Sequence, residues 1–211
     1  MKKILYITAN TKPEELSTSK TVGRIFINKI RDLGIVTEID LYNTYIPEIK
    51  HQYFESRASL VSGEKYLNLS EDEQKDVNII DSLANQFLEH DIYVMATPMW
   101  GISFPSKLKQ YFDCIDINGK AILINDKEVK GLLNDKERHM VYIQSSGGDY
   151  PQIMARMVNH GLTYFKDVFK LLGVKGFHPV LIEGTEMTSI GKHKAIEKAI
   201  EQLDKVVKKI T

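Results

Sequence analysis

Three short segments of this 211-residue chain hold residue types suited to gripping a small ligand with main-chain atoms. The first ends in Ser17-Thr18-Ser19, directly before an amphipathic stretch. Hydroxyls and unpaired N–H groups there meet the positive end of a helix, a ready place for a phosphate. An ordinary serine N-cap satisfies the same pattern. The second segment sets Met99, Trp100, Gly101, Ile102, Ser103 and Phe104 between Pro98 and Pro105. Such a stiff turn can face a planar ring with its N–H and C=O groups. A strand-ending turn whose Trp100 packs on a neighbouring helix reads equally well. The third, Ser145-Ser146-Gly147-Gly148 followed by Asp149-Tyr150, has two glycines that permit positive φ and close approach of backbone to a ligand. A plain turn looks similar.

No GxGxxG and no GxxxxGK[ST] run is present, which argues against a dinucleotide fingerprint and a P-loop and leaves a mononucleotide. No carboxylate pair suited to acid–base work stands out, so no side chain is assigned a catalytic role. The six histidines share no ligand spacing, and no metal site is expected. Cys114 lies beside Phe112 and Ile115 on a predicted helix and reads as a small buried side chain.

The elements that position these segments follow from hydrophobic periodicity. Strands are expected at Ile4–Ala9, Val36–Leu41, Asp91–Thr97, His139–Gln144 and Phe177–Ile182. Helices are expected over Thr18–Leu33, with Gly34 as a left-handed cap, and from Ser70, with Glu73 reaching back to it. Further helices follow Pro105, run from about Met154 through Leu172, and close the chain at Lys192–Ile210. Met154 and Met157 read as core or subunit contacts, and residues 119–135 as an excursion containing a short hairpin. Alternation of strand and helix predicts one α/β domain over 1–211, a doubly wound parallel sheet with helices on both faces. Ligands of such sheets lie beyond the carboxyl ends of the strands, where strand order reverses. The three segments follow the first, third and fourth strands.

Composition narrows the partners. Acidic and basic residues balance at 28 each, so no net field draws the chain to nucleic acid or an anionic membrane. The apolar run after Met1 is too short for a signal peptide or a membrane span, and a single cysteine fits a reducing cytoplasm.

At the second segment the chain resembles the FMN-dependent NADH azoreductase and NADH:quinone oxidoreductase family of flavodoxin-like proteins. Ala96-Thr97-Pro98-Met99-Trp100-Gly101-Ile102-Ser103-Phe104-Pro105 is similar to the family's Pro-Met-Tyr/Trp-Asn-Phe loop, and Leu108-Lys109-Gln110-Tyr111-Phe112-Asp113 to its following helix. Weaker similarity extends over nearly the whole chain. The resemblance implies a flavodoxin-like fold with strand order 2-1-3-4-5. It also implies non-covalent FMN and a homodimer with flavin sites at the subunit interface. Ser17, Thr18 and Ser19 match the phosphate segment. Pro98, Met99, Trp100, Gly101 and Ile102 match the segment along the isoalloxazine, and Ser145, Ser146, Gly147 and Gly148 the turn near the ribityl and pyrimidine end. Ala9 stands where many members have serine, Gly101 replaces the usual asparagine, and Ala121-Ile122-Leu123-Ile124 replaces a more aromatic stretch.

The expected activity is ping-pong transfer of reducing equivalents from NADH or NADPH, through FMN, to a quinone or azo acceptor. Trp100, Phe104 and Tyr150 are the candidate acceptor-pocket residues. A flavodoxin-like electron carrier is the alternative, but such carriers are usually acidic and this chain is neutral. A flavin-free receiver domain requires clustered acids at the strand ends, whereas residues 7–11 read Ile-Thr-Ala-Asn-Thr.

Overall fold

The computed structural model describes residues 1–150 and 158–211. In chain order it contains β1 (Lys2–Thr8), α1 (Thr18–Ile30), β2 (Gly34–Asp40), β3 (Phe54–Ser56), β4 (Ser59–Leu60), α2 (Gly63–Leu67), α3 (Glu71–Glu89) and β5 (Ile92–Pro98). Then follow α4 (Ser106–Ile115), β6 (Ile122–Ile124), β7 (Val129–Gly131), β8 (His139–Ser145), α5 (His160–Leu172), β9 (Gly176–Ile182) and α6 (Gly191–Ile210).

The five long strands form one parallel sheet in the order β2-β1-β5-β8-β9, the predicted 2-1-3-4-5 arrangement of a flavodoxin-like fold. Burial on both faces explains the largely apolar sequences of the inner strands β1, β5 and β8, whereas the edge strand β2 is only partly buried and carries Thr37, Glu38 and Asp40. In β1, Leu5 and Ile7 enter the core beneath α3, α4 and α5, while Ile4 and Tyr6 enter the core beneath α1 and α6. All four are essentially solvent-free, and each such burial contributes about 1.5–3 kcal/mol before chain entropy is counted. Among the described residues no helix is long and apolar enough to cross a membrane.

Local signals hold where short-range hydrogen bonds enforce them. Ser70 and Glu73 form the reciprocal capping box that starts α3. The excursion contains the β6–β7 antiparallel hairpin. Gly34, in contrast, is extended (φ 174°) and not a left-handed cap. It is needed because a Cβ there would lie 1.8 Å from the Lys2 carbonyl oxygen. The polar stretch before Ser70 holds the small β3–β4 pair and α2, neither of which its periodicity announces. Met154 and Met157 lie outside the described residues.

At the amino end of the sheet, buried Arg138 joins three elements. Its guanidinium donates to the carbonyls of Leu88 (2.8 Å) and His90 (3.1 Å) at the end of α3, and to that of Leu133 (3.1 Å) after the hairpin. A fixed cation thus satisfies carbonyls that a helix end leaves open. Nearby, His139 of β8 and His178 of β9 stand side by side, Nδ1 to Nε2 3.2 Å. Burial holds both imidazoles below their ordinary value of 6.5, His178 at about 4, with His139, Lys209 and Lys2 adding to the effect and Glu137 opposing it. Folding therefore favours the neutral pair. This contribution is intact above about pH 6.5 and is lost as pH falls toward about 4. Urea midpoints measured across pH 7 to 4.5 should fall less steeply in His178→Phe than in the wild type. Identical slopes would show that the pair carries no such linkage.

Candidate functional site

Strand order reverses between β1 and β5, and the three predicted segments leave the carboxyl ends of β1, β5 and β8 side by side. Main-chain bonds join these ends: the Ala9 N–H donates to the Ala96 carbonyl (3.1 Å) and the Met99 N–H to that of Ser145 (2.7 Å). Pro98 is the last residue of β5 and pairs with Ser145 in the sheet register.

The first segment combines both readings of its serines. The Ser17 hydroxyl is the N-cap of α1 and accepts the Lys20 N–H (3.3 Å), while the Ser17 carbonyl takes the Thr21 N–H (2.9 Å). The N–H groups of Thr18 and Ser19 have no partner among the described residues, at the positive end of a 13-residue helix. Asn10, which sequence reasoning passed over, steadies this start. Its side-chain amide donates to the Ser17 hydroxyl (2.9 Å) and its carbonyl oxygen accepts the Lys12 N–H (3.0 Å). Only its place directly after a buried strand hinted at that role.

The second segment closes through the Ser103 N–H to the Trp100 carbonyl (2.9 Å). Gly101 and Ile102 both have positive φ, 54° and 58°. The N–H groups of Trp100, Gly101 and Ile102 make no bond among the described residues. Trp100 is 43% exposed and meets Tyr42, just beyond β2, edge-on at 6.3 Å. Tyr42 has no motif around it and was missed. Phe104 points back and packs on Tyr164 (5.2 Å) and Phe165 (4.7 Å) of α5.

In the third segment a fourth loop, residues 183–187 after β9, takes up the carbonyls. Ser146 O accepts from the N–H (3.1 Å) and hydroxyl (3.0 Å) of Thr185. Gly147 O accepts from Glu186 N–H (3.2 Å), and Gly148 O from Gly184 N–H (2.9 Å). In a trans peptide the following N–H points opposite to the carbonyl. The N–H groups of Gly147, Gly148 and Asp149 therefore turn away from the fourth loop and stay unpaired among the described residues. Neither glycine has positive φ, which corrects the expectation from sequence. A Cβ on Gly147 would meet the end of the exposed Glu186 side chain at 2.8 Å, which can swing aside, and one on Gly148 would touch the Tyr150 ring at 3.3 Å. Tyr150 thus stands against this turn. Burial first, then Asp149, raise the Glu183 carboxyl above its ordinary range, against a hydrogen bond from the Tyr150 backbone. Gly184, at φ 73° directly after β9, was the one sequence signal for this fourth loop.

The site therefore presents main-chain donors in three groups: at a helix start, along a short turn with an exposed indole, and on a glycine turn. A phosphate suits the first, the edge of a conjugated ring the second, and an electron-rich carbonyl end the third. A separate cleft of about 480 Å³ opens beside β2. Most of its charged walls are already paired, Lys20 with Asp40 (2.9 Å) and Arg24 with Glu14 (3.1 Å) and Glu38 (2.6 Å), and Lys12 lines it as well. Among the described residues no group of three or more His, Cys, Asp or Glu could hold a metal ion.

A family model described as the flavodoxin-like fold matches residues 2–207. An FMN-dependent NADH:quinone oxidoreductase of Clostridium acetobutylicum is 46% identical, covering 100% of this chain and 96% of its own. Another protein so named, from Ruminiclostridium cellulolyticum, is 45% identical and covers 100% of both chains. In structure, an FMN-dependent NADH-azoreductase from Bacillus anthracis in complex with FMN superposes with a TM-score of 0.85 at 25% identity, covering 100% of this chain and 99% of that one. With these relatives and donors arrayed along the reversal point of its sheet, the chain belongs to the flavodoxin-like family of FMN-dependent NADH:quinone oxidoreductases.

Proposed function

We propose that this protein is an FMN-dependent oxidoreductase that passes two electrons from NADH to a quinone or an azo compound. One observation carries the reading: among the described residues the N–H groups of Thr18, Ser19, Trp100, Gly101, Ile102, Gly147 and Gly148 are unpaired, on turns that flank the strand reversal. The relatives that are 45–46% identical over essentially the full length are named for the quinone half of this activity, and the superposed Bacillus anthracis protein for the azo half.

FMN, once bound, supplies the redox chemistry, taking up hydride equivalents from the nicotinamide and passing them to the acceptor. The chain binds and orients it. The N–H groups of Thr18 and Ser19 are the phosphate donors, backed by the α1 dipole. Those of residues 100–102 serve the ring edge. Those of Gly147 and Gly148 stabilise negative charge at the pyrimidine end, where fixed dipoles act without reorganising. The exposed indole of Trp100, braced edge-on by Tyr42, provides an apolar face on which nicotinamide and acceptor can stack in turn, the sequence a ping-pong route requires. Tyr150 and the inner edge of Phe104 are the further candidates to line it.

Assembly and location belong to the same reading. Leu16, Trp100 and Ile102 are 65%, 43% and 46% exposed on the segments that build the site, which supports a homodimer meeting there. A lone buried cysteine fits a reducing cytoplasm.

The purified protein should show flavin absorbance after incubation with FMN, bleach on anaerobic addition of NADH, and recover its colour with a quinone or an azo dye. Failure to take up FMN sinks the assignment, and bleaching without turnover of either acceptor would make the protein a carrier. Trp100→Ala should raise KM for a flat quinone by up to about tenfold, the scale of one lost aromatic contact, in steady-state assays. An unchanged KM would remove Trp100 from the acceptor wall.

A further inference from the structure

Ile102 adopts a left-handed backbone conformation (φ 58°) that a β-branched side chain disfavours, so its surroundings must impose it. Four bonds fix the turn. Two have been described: Met99 N–H to Ser145 O, and Ser103 N–H to Trp100 O. A third runs from the His160 N–H, in the first turn of α5, to the Ile102 carbonyl (2.9 Å). The fourth comes from a side chain: Gln144 Nε2 donates to the Ser103 carbonyl at 3.1 Å.

Gln144 is 2% exposed and sits on β8 immediately before the third segment. Its other amide atom is also used, because Asn159 Nδ2 donates to Gln144 Oε1 at 2.6 Å. Asn159, 1% exposed, caps α5 by accepting the Leu162 N–H at its Oδ1 (2.9 Å). The α5 start is pressed onto this pair: a Cβ on Gly161 would meet the Tyr142 hydroxyl at 2.7 Å and Gln144 Nε2 at 2.9 Å. Two buried amides thus run head to tail from a helix cap to the turn, each with donor and acceptor engaged. Buried polar groups so arranged specify one geometry, because any other leaves them unpaired.

We propose that Gln144 and Asn159 are positioning residues for flavin. Their relay ties the Ser103 carbonyl to the α5 cap, holds Ile102 left-handed, and thereby keeps the N–H groups of residues 100–102 outward. This rests on the FMN reading above and adds two side chains that touch neither ring nor acceptor.

Asn159→Asp breaks the relay while keeping the helix cap, and the Ile102→Gly background separates the relay from a general loss of stability. Aspartate caps a helix as well as asparagine but cannot donate to Gln144 Oε1. Gln144→Met cuts both ends of the relay at similar length. Flavin-stripped full-length wild type and both variants are titrated with FMN by flavin fluorescence, with urea unfolding in parallel. The relay predicts FMN Kd raised roughly tenfold in Asn159→Asp, measured where the variant is fully folded, since the buried carboxylate facing Gln144 Oε1 also lowers its unfolding midpoint. It predicts at least as large a rise in Gln144→Met. In an Ile102→Gly background, where the left-handed conformation carries no penalty, Asn159→Asp should raise Kd less. Wild-type Kd in Asn159→Asp, or an equal loss in both backgrounds, overturns the relay. Absence of FMN binding by wild type overturns the functional reading itself.

Discussion

The structure depends on where the main-chain carbonyls of the carboxyl-end turns go. Each peptide must place its C=O somewhere, and a buried carbonyl left without a donor is expensive. Here the fourth loop takes the carbonyls of Ser146, Gly147 and Gly148, while His160 and Gln144 take those of Ile102 and Ser103. Planarity of the peptide then sends the partnered N–H groups of the third turn the other way. A ligand with phosphate, ring edge and carbonyl oxygens is the natural complement, and side chains need contribute little to holding it.

The same constraint explains why the enzyme can be electrically neutral. Steering by net charge is unnecessary when fixed dipoles at a helix start and in two turns supply local positive potential. The charged residues nearby are mostly committed to one another, as Lys20 is to Asp40 and Arg24 to Glu14 and Glu38. The cleft they line beside β2 is therefore balanced and is no rival anion site.

The sheet and the placement of three turns at its carboxyl edge were legible because each rests on short-range pattern. Doubly buried strands read as apolar runs, prolines and glycines mark the turns that follow them, and the Ser70–Glu73 capping box is written in four residues. What escaped depends on contacts between distant segments. Gln144 and Asn159 are ordinary polar residues until the fold sets them 2.6 Å apart. Asn10 and Tyr42 acquire roles only by meeting Ser17 and Trp100. Gly34 shows the converse error: a local conformational reason was inferred where lack of space against the Lys2 backbone is the cause, and Gly147 and Gly148 do not take the positive φ expected of them.

Whether main-chain donors grip the flavin can be read directly from amide chemical shifts. Titration of 15N-labelled, flavin-stripped protein with FMN should move the N–H resonances of Thr18, Ser19, Trp100, Gly101, Ile102, Gly147 and Gly148 together and saturably. Resonances of Arg24, Glu38 and Asp40 around the β2 cleft should move little. The reverse pattern, with the cleft responding and the seven turn amides still, would contradict the account.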